Sequence, residues 1–137
     1  MTNDQLEHLI RLRGAWQMRR PDDPAEASRR LELPISWPAE DPGPWLLSRR
    51  FQSPPVAAGR ERVRLRLEAV AGLVSVRLNG DELARPAAGT EALELDVEGL
   101  LRARNELVLE VAPPAPGAEP SPWGAIALVI GPTEARA

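Results

Sequence analysis

The side chains that usually do chemistry are scarce in this chain. Across 137 residues there is one histidine, His8, and no cysteine. Acyl transfer needs a nucleophile and a base, most often histidine, held within hydrogen-bond reach of each other. His8 lies in a polar N-terminal stretch expected to fray, so no catalytic role is assigned to it. Thiolate metal sites, disulfides and cysteine nucleophiles are excluded outright. Two carboxylates alone can run glycoside hydrolysis, and Asp22, Asp23, Asp41, Asp81 and Glu82 all fall in predicted loops. Aspartate, however, bonds the N–H groups of tight turns, which accounts for these positions without an active site. The densest oxygen cluster, Asp22, Asp23 and Glu26, lacks the alternating ligand spacing of a calcium loop. No catalytic residue, no metal ligand and no cofactor is expected.

Binding chemistry has better material. Sugar recognition uses flat aromatic faces that stack on a pyranose, with polar groups nearby to read its hydroxyls, and four tryptophans are present. Trp16 follows Gly14 in mid-strand and reads as core. Trp37, between Pro34 and Pro38, and Trp45, after Pro42-Gly43-Pro44, are placed for the rim of a sandwich, as is Trp123 between Pro122 and Gly124. The competing account is that each indole plugs an end of the core, since the chain has one phenylalanine and no tyrosine. Arg49 and Asn79 are the candidate polar readers beside Trp37 and Trp45. Arg49 alternates in step with Phe51 and so points the same way, and an inward arginine needs a buried partner. Arg60, Arg62, Arg64 and Arg66 share one strand face. They could line a groove for an anion or an acidic sugar, but cross-strand pairing with Glu94, Asp96, Glu106 or Glu110 is the simpler account.

The elements that must position these groups are strands. Arg62 to Val70 alternates charged and apolar residues, the mark of a strand with one wet and one buried face. Leu73 to Leu78 ends in Asn79-Gly80, a pair that tolerates positive φ and suits a two-residue hairpin into Asp81 to Ala84. Leu93 to Val97 and Leu107 to Val111 alternate likewise, with at most a helical turn between Glu98 and Arg104. Weaker strands are read at Arg11 to Met18, Arg30 to Leu33 and Leu46 to Gln52. Gly124 to Ile130 is apolar at nearly every position, as in a strand covered on both sides or near a seam. Residues 113–122 are too rich in proline to join a ladder and are expected to form a surface crossover. Short strands at such spacing predict an all-β fold, an antiparallel β-sandwich or jelly roll. The expected division is an N-terminal extension over 1–10, a helical turn or mobile; one sandwich domain over 11–131; and a mobile C-terminus over 132–137.

Composition sets the remaining bounds. The length suits one domain, and no apolar run approaches the roughly 20 residues of a membrane helix. A formal net charge of −3 offers no long-range attraction to phosphate backbones or anionic lipid, so neither nucleic acid nor membrane is an expected partner. All 17 basic residues are arginine, which together with abundant alanine, proline and glycine reads as GC-rich coding. The start, acidic and without an apolar stretch, is not a secretory signal, and the expected location is cytoplasmic.

Gly14-Ala15-Trp16, Leu33-Pro34-Ile35-Ser36-Trp37, and Gly43-Pro44-Trp45 leading to Arg49-Arg50-Phe51 and Pro54 resemble, in this order, the sugar-binding domain of glycoside hydrolase family 2. The resemblance continues through Val63 to Val70, Val76-Arg77-Leu78-Asn79-Gly80, Leu95-Asp96-Val97 with Leu100-Leu101-Arg102, Asn105 to Val111 and Trp123-Gly124-Ala125-Ile126, covering roughly residues 12–131. It implies a galactose-binding-domain-like jelly roll with a non-catalytic role. In that family the two catalytic carboxylates sit on a separate (β/α)₈ barrel of roughly 250 residues, so no active-site residue is carried over. Two functions follow as expectations. One is a stand-alone module that binds carbohydrate at a loop-lined rim through Trp37 and Trp45, with Asn79, Arg49 or a nearby carboxylate as polar readers. The other is a protein-interaction module that docks on a partner polypeptide, as the resembling domain braces its barrel, with no sugar bound.

Overall fold

A computed structural model describes residues 7–35, 44–56, 61–87, 89–112 and 122–132. Among them ten strands and one 3-10 turn, at Ala25–Ala27, make up the regular structure. The strands are β1 (His8–Arg11), β2 (Trp16–Arg19), β3 (Arg29–Leu31), β4 (Trp45–Gln52), β5 (Glu61–Glu68), β6 (Leu73–Leu78), β7 (Asp81–Ala84), β8 (Ala92–Asp96), β9 (Arg104–Val111) and β10 (Ala125–Pro132). A four-stranded sheet runs β1-β10-β5-β8 and a six-stranded sheet runs β3-β2-β4-β9-β6-β7, all neighbours antiparallel. The all-β antiparallel sandwich expected from the alternation is thus the observed architecture. No helix of the described residues is long and apolar enough to cross a membrane.

Period-two patterning places the core. On β5, Val63, Leu65 and Leu67 are buried while Arg62, Arg64 and Arg66 face out. They meet Leu107, Leu109 and Val111 of β9 and Ile126, Leu128 and Ile130 of β10 in one apolar cluster. Completely removing each such side chain from water contributes about 1.5–3 kcal/mol, so the cluster dominates the favourable side of folding. The hairpin between β6 and β7 forms as its dipeptide requires, with Asn79 at φ 54° and Gly80 at φ 90°, the paired positive values of the tight turn that matches strand twist.

Several boundaries differ from the sequence reading. The sandwich starts at His8, within the expected extension: His8 to Arg11 pair with Ile130 to Ala127, so these residues form a strand and not a helical turn. Conversely, the single strand expected over Arg11 to Met18 is two. Alternation of Ile10, Leu12, Trp16 and Met18 runs on unbroken, but Ala15 adopts φ 64° and the chain changes sheets there, which periodicity alone cannot register. Glu98 to Leu100 is a turn, with Leu100 N donating to Val97 O at 3.0 Å. The ladder of β9 begins three residues before Leu107, where Arg104 pairs with Gln52 and Asn105 with Phe51. Residues 1–6, 133–137 and most of the expected crossover at 113–122 lie outside the described residues.

The apolar run of β10 has the predicted cause. Its inner residues enter the core, and its outer ones are covered too: Val129 is 0% exposed, flanked in register by Leu9 and Arg64. The methylene stem of an arginine can cover apolar surface while its head stays in water.

Candidate functional site

Trp45 opens β4 opposite Val111 and is 5% exposed. The Arg20 guanidinium carbon lies 4.5 Å from the centre of the indole and that of Arg29 5.7 Å away. The ring is therefore occupied by cation–π contacts and presents no face for stacking on a sugar. Its Nε1 is buried without a hydrogen-bond partner. Trp16 and Trp123 are also buried, at 0% and 3% exposure. Their Nε1 atoms donate at 2.7 Å to Leu12 O and Ala71 O respectively. Trp123 further ties its backbone to Ile35, N–H to carbonyl in both directions. Trp37 lies outside the described residues.

Arg49 Nε donates to Gly14 O at 2.6 Å and Nη1 to Arg50 O at 3.3 Å. The partner expected for this inward arginine is thus a backbone carbonyl in the segment joining the two sheets. Burial lowers its pKa below the ordinary guanidinium value, since desolvation disfavours the charged form. Asn79 is engaged within the fold: Glu106 N donates to Asn79 Oδ1 at 2.9 Å, and Asn79 Nδ2 donates to Asn105 Oδ1 at 3.0 Å.

Register separates the expected readers from the expected platform. Trp45 sits opposite Val111, Arg49 opposite Leu107, and Phe51 opposite Asn105, the residue that Asn79 bonds. At about 3.3 Å per residue, the six steps from Trp45 to Phe51 span roughly 20 Å, so Trp45 and Asn79 lie toward opposite ends of the six-stranded sheet. The structure does not bring Trp45, Arg49 and Asn79 into one site.

Asp81 and Glu82, expected in a loop, lie on β7, and Asp23 holds its turn through backbone atoms. Asp23 N donates to Arg20 O at 3.0 Å, and Asp23 O accepts from Arg19 Nη1 at 2.7 Å. Glu82 pairs with Arg85 at 2.9 Å, and Asp41 lies outside the described residues. No group of three metal-ligating side chains occurs among the described residues. On the outer face of β5 the cross-strand pairing holds for three of the four arginines: Arg62 with Asp96 at 3.3 Å, and Arg64 and Arg66 each with Glu94 at 2.8 Å. Arg64 also pairs with Glu7 at 2.8 Å, an acid the sequence reading did not connect to it, while Arg60 is outside the described residues. The Glu94 hydrogen bond raises the pKa of Arg66, against a smaller opposing effect of burial.

One feature escaped the sequence. A cavity of about 130 Å³ opens on the outer face of the four-stranded sheet, between β1, β10 and the Leu33-Pro34 segment, with Arg11, Arg13, Arg66 and Glu68 among its lining. The alternation Leu9, Arg11, Arg13 was its signal, obscured because these residues straddle the expected extension and a strand assigned as continuous.

No protein-family model matches the chain, and no curated protein does. Solved structures do. The FMN-binding β-glucuronidase of Faecalibacterium prausnitzii L2-6 is 24% identical with a TM-score of 0.73, over 91% of this chain and 22% of that one. A β-glucuronidase of an uncultured Clostridium is 18% identical, with a TM-score of 0.73 over 96% and 30% of the two chains. The β-D-mannosidase of Dictyoglomus thermophilum is 18% identical, with a TM-score of 0.64 over 78% and 16%. This chain therefore spans less than a third of each of these relatives. What it shares with them is the fold, a β-sandwich like a domain of family 2 glycoside hydrolases.

Proposed function

We propose that this domain is a non-catalytic bracing module that docks on another polypeptide and grips no sugar through its described tryptophans. The observation that carries this reading is the burial of Trp45 beneath Arg20, which removes the platform that carbohydrate recognition would need at that rim. The separation of Trp45 from Asn79 supports it, because readers about 20 Å from a platform cannot serve one monosaccharide. Its likeness to domain-sized parts of much longer glycosidases agrees with a role in which the sandwich works against a neighbour.

Intrinsic-fluorescence titration with galactose, mannose and glucuronate tests it, alongside co-purification from the native source. The expected results are flat titrations and a stoichiometric polypeptide partner. A saturable titration abolished by Trp45→Ala in a folded variant would restore the carbohydrate reading. Hydrolysis of an aryl glycoside by the pure chain would overturn both.

A further inference from the structure

We propose that the corner of the four-stranded sheet where β1 meets β10 is a docking site for an acidic side chain of another polypeptide. This rests on the bracing reading above and names the surface that serves it. Register builds the site. Ala127 lies between Arg11 on β1 and Arg66 on β5, and Ala125 lies opposite Glu68. Two small residues on the central strand thus form a floor between longer side chains on its neighbours. With adjacent strands about 4.8 Å apart, the Arg11 and Arg66 backbones stand roughly 10 Å apart across it. Leu33 and Pro34 wall another side, and Leu9, 41% exposed, extends the apolar margin. Because β1 is an edge strand, a partner reaches the corner without crossing the sheet.

Charge selects the occupant. Arg62, Arg64 and Arg66 are neutralised by Asp96, Glu7 and Glu94. Arg11 and Arg13 are exposed and have no ion pair or side-chain hydrogen bond among the described residues. The cavity lining holds three arginines against one carboxylate, Glu68, in a chain whose formal net charge is −3. Guanidinium forks match carboxylates geometrically, so the complementary group is an anionic oxygen pair. Size then decides what carries it. About 130 Å³ is well below the roughly 300–1,000 Å³ of small-molecule sites, leaving room for one side chain. A glutamate would lay its methylenes on the alanine floor and its carboxylate between Arg11 and Arg13.

The test is amide NMR on the full chain with three probes: a capped peptide alternating glutamate and leucine, its glutamine counterpart, and sodium glucuronate. The glutamate peptide should shift the amides of Leu9, Arg11, Ala125 and Ala127 saturably, and the glutamine peptide should not. The Arg11→Gln/Arg13→Gln variant should weaken binding about tenfold, as expected for losing two exposed charge pairs, and raised salt should weaken it in the wild type. Ala125→Leu, which fills the floor, should abolish the shifts and guards against misfolding of the arginine variant. Absence of saturable shifts at these amides, indifference to the arginine substitutions, or tighter saturation by glucuronate than by the peptide would overturn the proposal. A partner cross-linked through another face would sink this site and leave the bracing reading intact, whereas the sugar titration tests that reading separately.

Discussion

Asn79 and Asn105 offer the sharpest test of whether the hairpin asparagine is structural. Asn105 is 3% exposed, and its Oδ1 accepts from Asn79 Nδ2 at 3.0 Å and from Arg102 N at 2.8 Å. Its Nδ2 donates to Arg102 O at 2.8 Å and to Phe51 O at 3.4 Å. Asn105→Ala therefore strips three short hydrogen bonds from groups with limited access to water, at about 1 kcal/mol each, for a loss of about 3 kcal/mol. Asn79→Ala loses its bonds to Glu106 N and Asn105 and forces alanine into a left-handed conformation costing about 1 kcal/mol, for a loss of about 2 kcal/mol after allowance for its partial exposure. One bond is common to both, so the double variant should be about 1 kcal/mol less destabilised than the sum of the singles. Urea denaturation measures this directly. With a slope near 2 kcal/mol per molar, Asn105→Ala should lower the midpoint by about 1.5 M. A coupling indistinguishable from zero, or an Asn79→Ala variant of unchanged stability that loses affinity for a sugar, would refute the assignment.

Three further outcomes follow from other parts of the structure. Trp16→Phe breaks a 2.7 Å bond and leaves the Leu12 carbonyl unpaired, whereas Trp45→Phe deletes a buried N–H that has no partner. The first should cost about 2–3 kcal/mol and the second under about 1 kcal/mol, its lost cation–π contact offset by relief of an unsatisfied donor; equal losses in thermal unfolding would count against this. Glu94→Gln should cost at most about 1 kcal/mol, since the pairs with Arg64 and Arg66 have side chains about a third exposed, and the difference should fade as sodium chloride approaches about 1 M. The raised pKa of Arg66 contributes stability that is fully present below arginine's unfolded pKa and is lost only as pH rises through the higher folded one. It should therefore produce no slope in stability between about pH 6 and 9; a slope there that Glu94→Gln removes would contradict this.

Alternation made most strands legible. The Arg62 to Val70 pattern foretold β5 and its buried face, and Asn79-Gly80 foretold the β6–β7 hairpin to the residue, because a two-residue turn tolerates few other conformations. What failed to show was anything that leaves the period intact. Ile10, Leu12, Trp16 and Met18 all point inward whether the chain stays in one sheet or passes to the other at Ala15. The site was less legible still. A tryptophan beside proline and glycine, such as Trp45, looks the same in sequence whether it faces solvent or plugs the core, and only Arg20 over its ring decides. The trough at Ala125 and Ala127 depends on register between β1, β10 and β5, strands distant in sequence, and period-two reading fixes faces without fixing neighbours.

The composition explains why the described tryptophans are spent in the core while arginines dominate the charged surface. With one phenylalanine and no tyrosine, the core has little but tryptophan to fill its ends, and Trp16, Trp45 and Trp123 are all consumed there. With no lysine, the basic side chains are all long planar forks, and on the outer side of β10 Val129, excluded from water, lies in register between Leu9 and Arg64. Acids hold the forks of this face in place, as Glu7, Glu94 and Asp96 do around Arg62, Arg64 and Arg66. The lattice stops at β1. There Arg11, across the alanine floor from Arg66, and Arg13 have no ion pair among the described residues, which is why the proposed partner supplies the carboxylate.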